Sequence, residues 1–180
     1  MNDLFEGNEY DFVEGDMLQE ALRGDYSRSD TPEMVEFRAF FDTLPSEFFT
    51  ADEFMILGPS NRPGGSCEGK NGLAPKSLWN NVKPLVKAMN LIRKELGASV
   101  QITNCFRSGT YNACVGGVPG SFHSRFQAAD WICGAGNSAM LASAARAVRD
   151  AGGFSGGIGI YNSFVHVDVR GSNADWDNRS

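Results

Sequence analysis

The chain contains two histidines, His123 and His166, and each lies close to an aspartate within an apolar or small-residue segment. Imidazole nitrogen and carboxylate oxygen are ligands that bind zinc, and a catalytic zinc site has three protein ligands and one open position. Two histidines and one aspartate would supply those three ligands. The alternative is that both histidines are ordinary hydrogen-bonded side chains, because two-residue patterns of this kind have little specificity.

The spacing of these residues constrains how they can meet. His123 and Asp130 are seven residues apart, so on one continuous strand their side chains would point to opposite faces. We therefore expect a loop after His123 that leads into a strand. His166 and Asp168 are two residues apart in Val-His-Val-Asp-Val, and strand alternation places both on one face. One strand thus offers an imidazole and a carboxylate to the same cavity.

Five motifs follow one another along the second half of the chain. They are Phe106-Arg-Ser108, Tyr111-Asn112 with Val115-Gly-Gly117, Ser121-x-His123 ending in Ala128-Ala-Asp130, Gly157-Ile-Gly-Ile-Tyr161, and His166-Val-Asp168. Together they resemble the zinc D-alanyl-D-alanine peptidases of the M15 type. That group includes VanY-like carboxypeptidases and peptidoglycan endopeptidases, and its fold is shared with the hedgehog signalling domain. The resemblance extends over roughly residues 48–176 and is far more specific than any single motif.

The resemblance implies a role for particular residues. His123, Asp130 and His166 would hold a zinc ion. Arg107 would face the scissile carbonyl or a carboxylate of the substrate, and Ser121 would help to position the substrate. The alternative for Arg107 is an arginine that forms a salt bridge on the surface, where arginine is common.

Two positions depart from the family pattern. Phe126 stands where the first motif usually has glycine, three residues after its histidine. Ser163 stands where many members place the glutamate or aspartate that acts as general base, and a serine cannot accept that proton at neutral pH. Asp168 is then either a replacement base or a partner that orients a ligand histidine, and the sequence leaves both roles open.

The elements that must position these residues follow from local patterns. Thr31-Pro32 begins a helix with apolar positions at Met34, Phe37, Phe40 and Phe41. Thr50-Ala-Asp-Glu53 is a capping box before a short helix. An apolar stripe over 75–96 predicts a helix that Pro84 kinks or divides and that Gly97 ends. A helix is also predicted over 137–151, with Met140, Leu141, Ala144, Ala147 and Val148 as its apolar face.

Four segments read as strands: one at Val100 and Ile102, one over 128–133 buried on one face, and the segments 157–161 and 164–169. The last two enclose Asn162-Ser163, which predicts a two-residue hairpin. Because helices and strands do not alternate regularly, the order favours an α+β fold with helices packed on one side of a small antiparallel sheet. The resemblance implies the same hedgehog/DD-peptidase-like fold.

Charge is distributed unevenly along the 180 residues. Residues 1–50 contain 13 acidic and 3 basic side chains, whereas residues 51–180 contain 9 acidic and 13 basic ones. We therefore predict an acidic N-terminal arm over 1–47, with a helix that packs on the core, followed by a zinc DD-peptidase-like catalytic domain over 48–180. Met17 to Leu22 is a short helical candidate within the arm. A mildly basic body suits an anionic polymer such as cell wall, although an ordinary solvated surface is the default explanation for so small an excess.

Several other classes of protein find no support in the sequence. No run reaches the roughly 20 apolar residues of a membrane span, and the N-terminus lacks the basic and apolar regions of a secretory signal. No dense basic stripe or motif indicates a nucleic-acid partner. Nothing in the sequence defines an oligomeric state.

Four cysteines, Cys67, Cys105, Cys114 and Cys133, contain no Cys-x-x-Cys pair, so a structural zinc knuckle is not expected. Two disulfides are possible, and a Cys105–Cys114 bridge would brace the segment around Arg107. Buried free thiols are the expectation, because no secretory signal is present.

The function predicted from these residues is a zinc-dependent peptidase that hydrolyses peptidoglycan stem peptides at a bond involving D-alanine. Such an enzyme would act at the bacterial cell wall. One alternative is a zinc-binding or structural protein of the same fold without turnover, for which Ser163 is the supporting feature. Another is a component of a phage particle that opens the wall with the same chemistry.

Overall fold

The computed structural model describes residues 30–180, so the helical candidate at 17–22 lies outside the described residues. Within this range, five α-helices run over α1 Pro32–Phe41, α2 Ala51–Phe54, α3 Lys83–Leu96, α4 Gly109–Cys114 and α5 Ser138–Asp150. The same described residues form five strands: β1 Gln101–Asn104, β2 Ala128–Ile132, β3 Gly157–Ile160, β4 Val165–Asp168 and β5 Ala174–Asp177. Short 3-10 helices lie at Pro59–Asn61, Lys76–Val82 and Phe122–Arg125.

The predicted helix starts and stops are confirmed. The hydroxyl of Thr31 accepts a hydrogen bond from the Met34 N–H at 3.3 Å at the start of α1. The capping box at Thr50 is present before α2. Pro84 divides the apolar stripe, because a 3-10 helix ends at Val82 and α3 begins at Lys83. Gly97 ends α3 in the left-handed conformation, with a φ of 60° that glycine adopts without steric cost.

The apolar face predicted for α5 is rotated by one residue. Leu141 and Val148 are buried as expected, but Met140 is 44% exposed. Ala142 and Ala145 occupy the buried face in place of Ala144 and Ala147. Both sets recur at helical spacing, so the sequence pattern does not distinguish them, and the packing of α5 against α3 and β3 decides which face is buried.

The sheet has the order β1-β2-β4-β3-β5 and is mixed. The first four strands pair antiparallel, as predicted, but β5 pairs with β3 in parallel. The prediction of a purely antiparallel sheet is therefore wrong, and the α+β class is correct. Strand β5 was not predicted because two of its four residues are aspartates, which do not form a strand pattern. Charged residues of this kind are typical of a short edge strand. Arg149 of α5 holds this edge by donating hydrogen bonds to the carbonyls of Gly156 and Ala174 at 3.2 and 3.1 Å.

The second predicted strand, β2, is buried along its whole length, not on one face only. It lies between β1 and β4, so both of its edges are hydrogen-bonded to strands, and all of its residues are buried. The hairpin between β3 and β4 is confirmed: the Tyr161 N–H donates to the Phe164 carbonyl at 3.1 Å across Asn162 and Ser163.

One large apolar core extends through the described residues. Met34, Phe37 and Phe41 of α1 belong to the same cluster as the inner residues of α3 and β2. The ring of Phe37 lies 5.2 Å from that of Trp79 and 6.0 Å from that of Phe126. The helix at residues 32–41 therefore packs on the body of the molecule, whereas the division of the chain at residue 47 stays a prediction.

The cysteines form one disulfide, Cys67–Cys114, with a Cα–Cα distance of 6.0 Å. Cys105 and Cys133 are free and buried, as expected for those two. The alternative bridge between Cys105 and Cys114 is wrong. Cys105 directly follows β1 and its thiol lies in the core, whereas Cys114 ends α4 beside the loop that carries Cys67.

Candidate metal centre

A single row of residues crosses the sheet and carries the site. Asn104 of β1 lies opposite Asp130 of β2, and Asp130 lies opposite His166 of β4. The row continues through Gly159 of β3 to Trp176 of β5. Residues directly opposite each other on neighbouring strands project to the same face, so the register itself brings Asp130 and His166 together.

His123 reaches the row from outside the sheet. It lies in the 3-10 helix Phe122–Arg125, where its N–H donates to the Ser121 hydroxyl at 3.3 Å. Phe126 then turns the chain into β2 in the left-handed conformation, with a φ of 59°. The expected change from loop to strand between His123 and Asp130 is confirmed. The left-handed backbone at Phe126 also explains why glycine is usual at this position in the family pattern, because a residue with a side chain costs roughly 1–2 kcal/mol in that conformation.

The three predicted ligands meet at one point. The His123 Nε2 lies 3.1 Å from the Asp130 Oδ1 and 3.1 Å from the His166 Nδ1, and the remaining edge, from His166 Nδ1 to Asp130 Oδ1, is 2.9 Å. All three side chains are buried. Ligand atoms at ordinary zinc bond lengths lie about 3.4 Å apart in a tetrahedron, so this nearly equilateral triangle fits three corners of that geometry.

The far nitrogen of each imidazole has its own partner. The His123 Nδ1 lies 2.7 Å from the Cys105 carbonyl, and the His166 Nε2 lies 3.1 Å from the Asp168 Oδ2. A carbonyl and an ionised carboxylate only accept hydrogen bonds, so each far nitrogen carries the ring's proton. In the neutral form of each ring, the nitrogen on the other side presents a lone pair to the second ring and to Asp130. Three acceptors that converge in this way are matched by a cation, as in metal centres with oriented histidine ligands.

Asp130 is held in its charged form. Burial alone would raise the pKa of this carboxyl, but its contacts with His123, Arg107 and His166 hold the pKa well below its ordinary value. Arg107 forms an ion pair with Asp130 through the second carboxylate oxygen, Oδ2. One oxygen of Asp130 thus faces the histidines and the other faces the guanidinium. Arg107 is 4% exposed, so its interpretation as a surface arginine is wrong.

Asp168 lies on the opposite side of the His166 ring from the ligand triangle. Its carboxylate accepts the Gly157 N–H at 3.0 Å and a forked pair of bonds from Arg170, with Nη2 at 2.6 Å. Burial would raise the pKa of Asp168, but the hydrogen bonds from His166 and Arg170 lower it far below its ordinary value. The contacts place Asp168 where it can orient His166.

A groove with a volume of about 300 Å³ opens beside the triangle. Its lining includes Ser121, Phe122, Tyr161, His166, Arg170 and Trp176. Ser121 and the ligand His166 therefore border the same space, whereas Ser163 is exposed at the turn of the β3–β4 hairpin.

Sequence reasoning missed three neighbours of the ligands: the Cys105 carbonyl, Arg170 and the packing of Trp176 on His166. The rings of Trp176 and His166 lie 5.3 Å apart. A Cβ on Gly159 would lie 2.4 Å from the indole, so glycine leaves room for it. Two signals could have found these residues. Arg170 follows Asp168 at same-face spacing, and the Gly157-x-Gly159 pattern predicts close approach of a large group.

The fold and the site define a class of protein: a small α+β domain in which two imidazoles and one carboxylate form a buried candidate metal site at the edge of a groove. The model of a family described as Peptidase M15 matches residues 63–168, which is more than half of the chain. The chain therefore belongs to the Peptidase M15 family, a family of metallopeptidases that are generally zinc-dependent. No curated protein and no solved structure matches the chain significantly. Among residues 30–180, no helix is both long and apolar enough to span a bilayer.

Proposed function

We propose that the protein is a zinc-dependent peptidase that hydrolyses peptidoglycan stem peptides at a bond involving D-alanine, at the bacterial cell wall. The observation that carries the proposal is the triangle of His123, Asp130 and His166, with edges of 2.9–3.1 Å. Membership of the Peptidase M15 family supports the same reaction class. The groove beside His166 provides room for a peptide.

In this proposal His123, Asp130 and His166 hold the zinc, and each has a second contact that fixes its orientation. A zinc ion in such a site supplies a Lewis acid and lowers the pKa of water to about 7. Arg107 stabilises negative charge that develops on the scissile carbonyl, while its ion pair with Asp130 keeps the guanidinium beside the ligand triangle. Ser121 borders the groove and positions the substrate.

The role proposed for Asp168 is to orient His166, not to accept the proton from water. Its Oδ2 lies 3.1 Å from the His166 Nε2, on the opposite side of the ring from the Nδ1 that faces the ligand triangle. Its remaining acceptor positions are occupied by Gly157 and Arg170. A carboxylate placed in this way strengthens the basicity of the ligand histidine.

A second candidate function is a zinc-binding protein of the same fold that does not turn over. Ser163, in the position where many family members have an acidic base, favours it, and the structure places that serine at an exposed turn. Both candidate proteins bind zinc, but only the first hydrolyses a peptide bond.

The test is a digest of purified peptidoglycan analysed by mass spectrometry. We expect cleaved stem peptides with the zinc-loaded protein, none after chelation, and recovery when zinc is returned. The His166→Ala variant is the matched control because it removes one ligand of the triangle. Zinc bound at one equivalent without any cleaved peptide would select the second candidate. Cleavage that survives complete removal of metal would refute both assignments of the site.

A further inference from the structure

Two guanidinium groups stack on one aromatic ring at the edge of the groove. The Cζ atoms of Arg125 and Arg170 lie 4.8 and 4.6 Å from the centroid of the Phe122 ring. Arg170 also lies 5.3 Å from the Trp176 ring. Stacking of this kind holds a guanidinium in place, so it loses less conformational freedom when it binds a partner.

The two arginines have different electrostatic surroundings. Arg170 binds the Asp168 carboxylate through Nε at 2.8 Å and Nη2 at 2.6 Å, so its charge is matched inside the protein. Arg125 is exposed and, within residues 30–180, forms no ion pair with a carboxylate. It is two residues after the predicted ligand His123, and its Nη2 lies beside Gly120, which lines the groove.

Within the part of the chain that the structure describes, no negative side chain lines the groove. Among the described residues that line it there is one arginine and no aspartate or glutamate. A fixed, unmatched guanidinium beside such a lining is complementary to an anion, and a planar carboxylate can accept two hydrogen bonds from an arginine fork.

From this arrangement we infer that Arg125 is a specificity-determining residue that binds a carboxylate within the peptide substrate, on a residue other than the C-terminal one. The groove volume of about 300 Å³ exceeds what a single alanine fills, so it holds a longer segment of the chain. Arg125 is exposed at the rim, whereas the ligand triangle is buried, so the guanidinium meets residues away from the scissile bond. The inference rests on the proposed function for the identity of the substrate.

The experiment compares two stem pentapeptides that differ in one group: the free carboxylate of the γ-linked D-glutamate at the second position, or its carboxamide. Hydrolysis by the zinc-loaded protein gives kcat/KM for each. Calorimetric titration with the corresponding tetrapeptides, which lack the last D-alanine, gives Kd for each. We expect the carboxylate form to be preferred about tenfold in both measurements, as for a hydrogen-bonded charge pair. The preference should weaken as salt is raised.

Three variants assign the preference to Arg125. Arg125→Gln should reduce it to about twofold or less, and Arg125→Lys should retain part of it, because lysine keeps the charge and loses the fork. Lys87→Gln removes the same charge from the exposed face of α3 and should leave the preference unchanged. Arg125 is exposed, so these substitutions should not affect folding, which circular dichroism verifies.

The possible outcomes separate this inference from the proposed function. Equal binding of both peptides by the wild type, or an undiminished preference in Arg125→Gln, would overturn the inference even if hydrolysis is efficient. A binding preference that depends on Arg125, without any hydrolysis, would support it and contradict the proposed reaction. An effect of Arg125→Gln that disappears when the C-terminal carboxylate is amidated would also overturn it, because Arg125 would then bind the C-terminal carboxylate.

Discussion

Replacing Asp168 by asparagine tests how the second histidine is held. Asparagine has nearly the same shape and can still accept the His166 Nε2–H through its oxygen, at the position now 3.1 Å away. It loses the negative charge. A hydrogen bond to a charged group contributes about 1.5–3 kcal/mol and a neutral one about 0.5–1.5 kcal/mol, so the expected loss is about 1–1.5 kcal/mol.

That loss corresponds to roughly a tenfold weaker zinc affinity, because 1.4 kcal/mol is a factor of ten. Asp168→Ala removes the acceptor altogether, and the loss should approach hundredfold, the upper end for partners of metal ligands. The assay is a competition titration in which a chromophoric chelator reports free zinc at fixed pH. Circular dichroism must show that both variants remain folded, since Asp168 also accepts from Gly157.

Asp175→Asn is the matched control, because Asp175 is a half-exposed aspartate that binds arginines of α5 and lies outside the ligand triangle. Its zinc affinity should equal that of the wild type. If Asp168→Asn binds zinc as tightly as the wild type and yet loses hydrolysis by more than about hundredfold, Asp168 acts as the base and the reasoning from its position behind the ring is wrong.

Three further predictions concern the fold. Phe126→Gly should be less destabilising than Phe126→Ala by about 1 kcal/mol in urea unfolding, the reverse of the usual order, because the φ of 59° favours glycine. Removing the Cys67–Cys114 bridge should cost up to about 4 kcal/mol for a separation of 47 residues, and thiol titration of the denatured, unreduced chain should find the two free cysteines. Burial raises the pKa of Asp175, but hydrogen bonds from two arginines of α5 lower it overall. The stability that this carboxylate provides is thus present above the ordinary pKa of about 3.9 and is lost as the pH falls below it, so the urea midpoints of wild type and Asp175→Asn should converge in acid.

The sequence alone determined the local parts of this protein. The Thr31 cap, the division at Pro84 and the stop at Gly97 depend on contacts within a few residues, so they could be read directly and the structure confirms them. The alternation that places His166 and Asp168 on one face is equally local. The ordered motifs also indicated the Peptidase M15 family, which the family match confirms.

Other features depend on parts of the chain that are far apart, so only the tertiary structure decided them. Cys114 pairs with Cys67 across 47 residues, and no local signal distinguishes that partner from Cys105. Strand β5 does not have strong strand character in its own sequence. It joins the sheet in parallel because Arg149 donates hydrogen bonds to the carbonyls of Gly156 and Ala174, and because the glycines of β3 leave room for Trp176.

The candidate site shows the same division. The types and spacing of His123, Asp130 and His166 marked them as possible ligands before any fold was known. Which atoms face one another was set by the register of β2 against β4 and by the partners of the two rings, the Cys105 carbonyl and the Asp168 carboxylate. Hydrogen bonds over these sequence distances exist only once the core has packed, and they give three side chains the geometry of a metal centre.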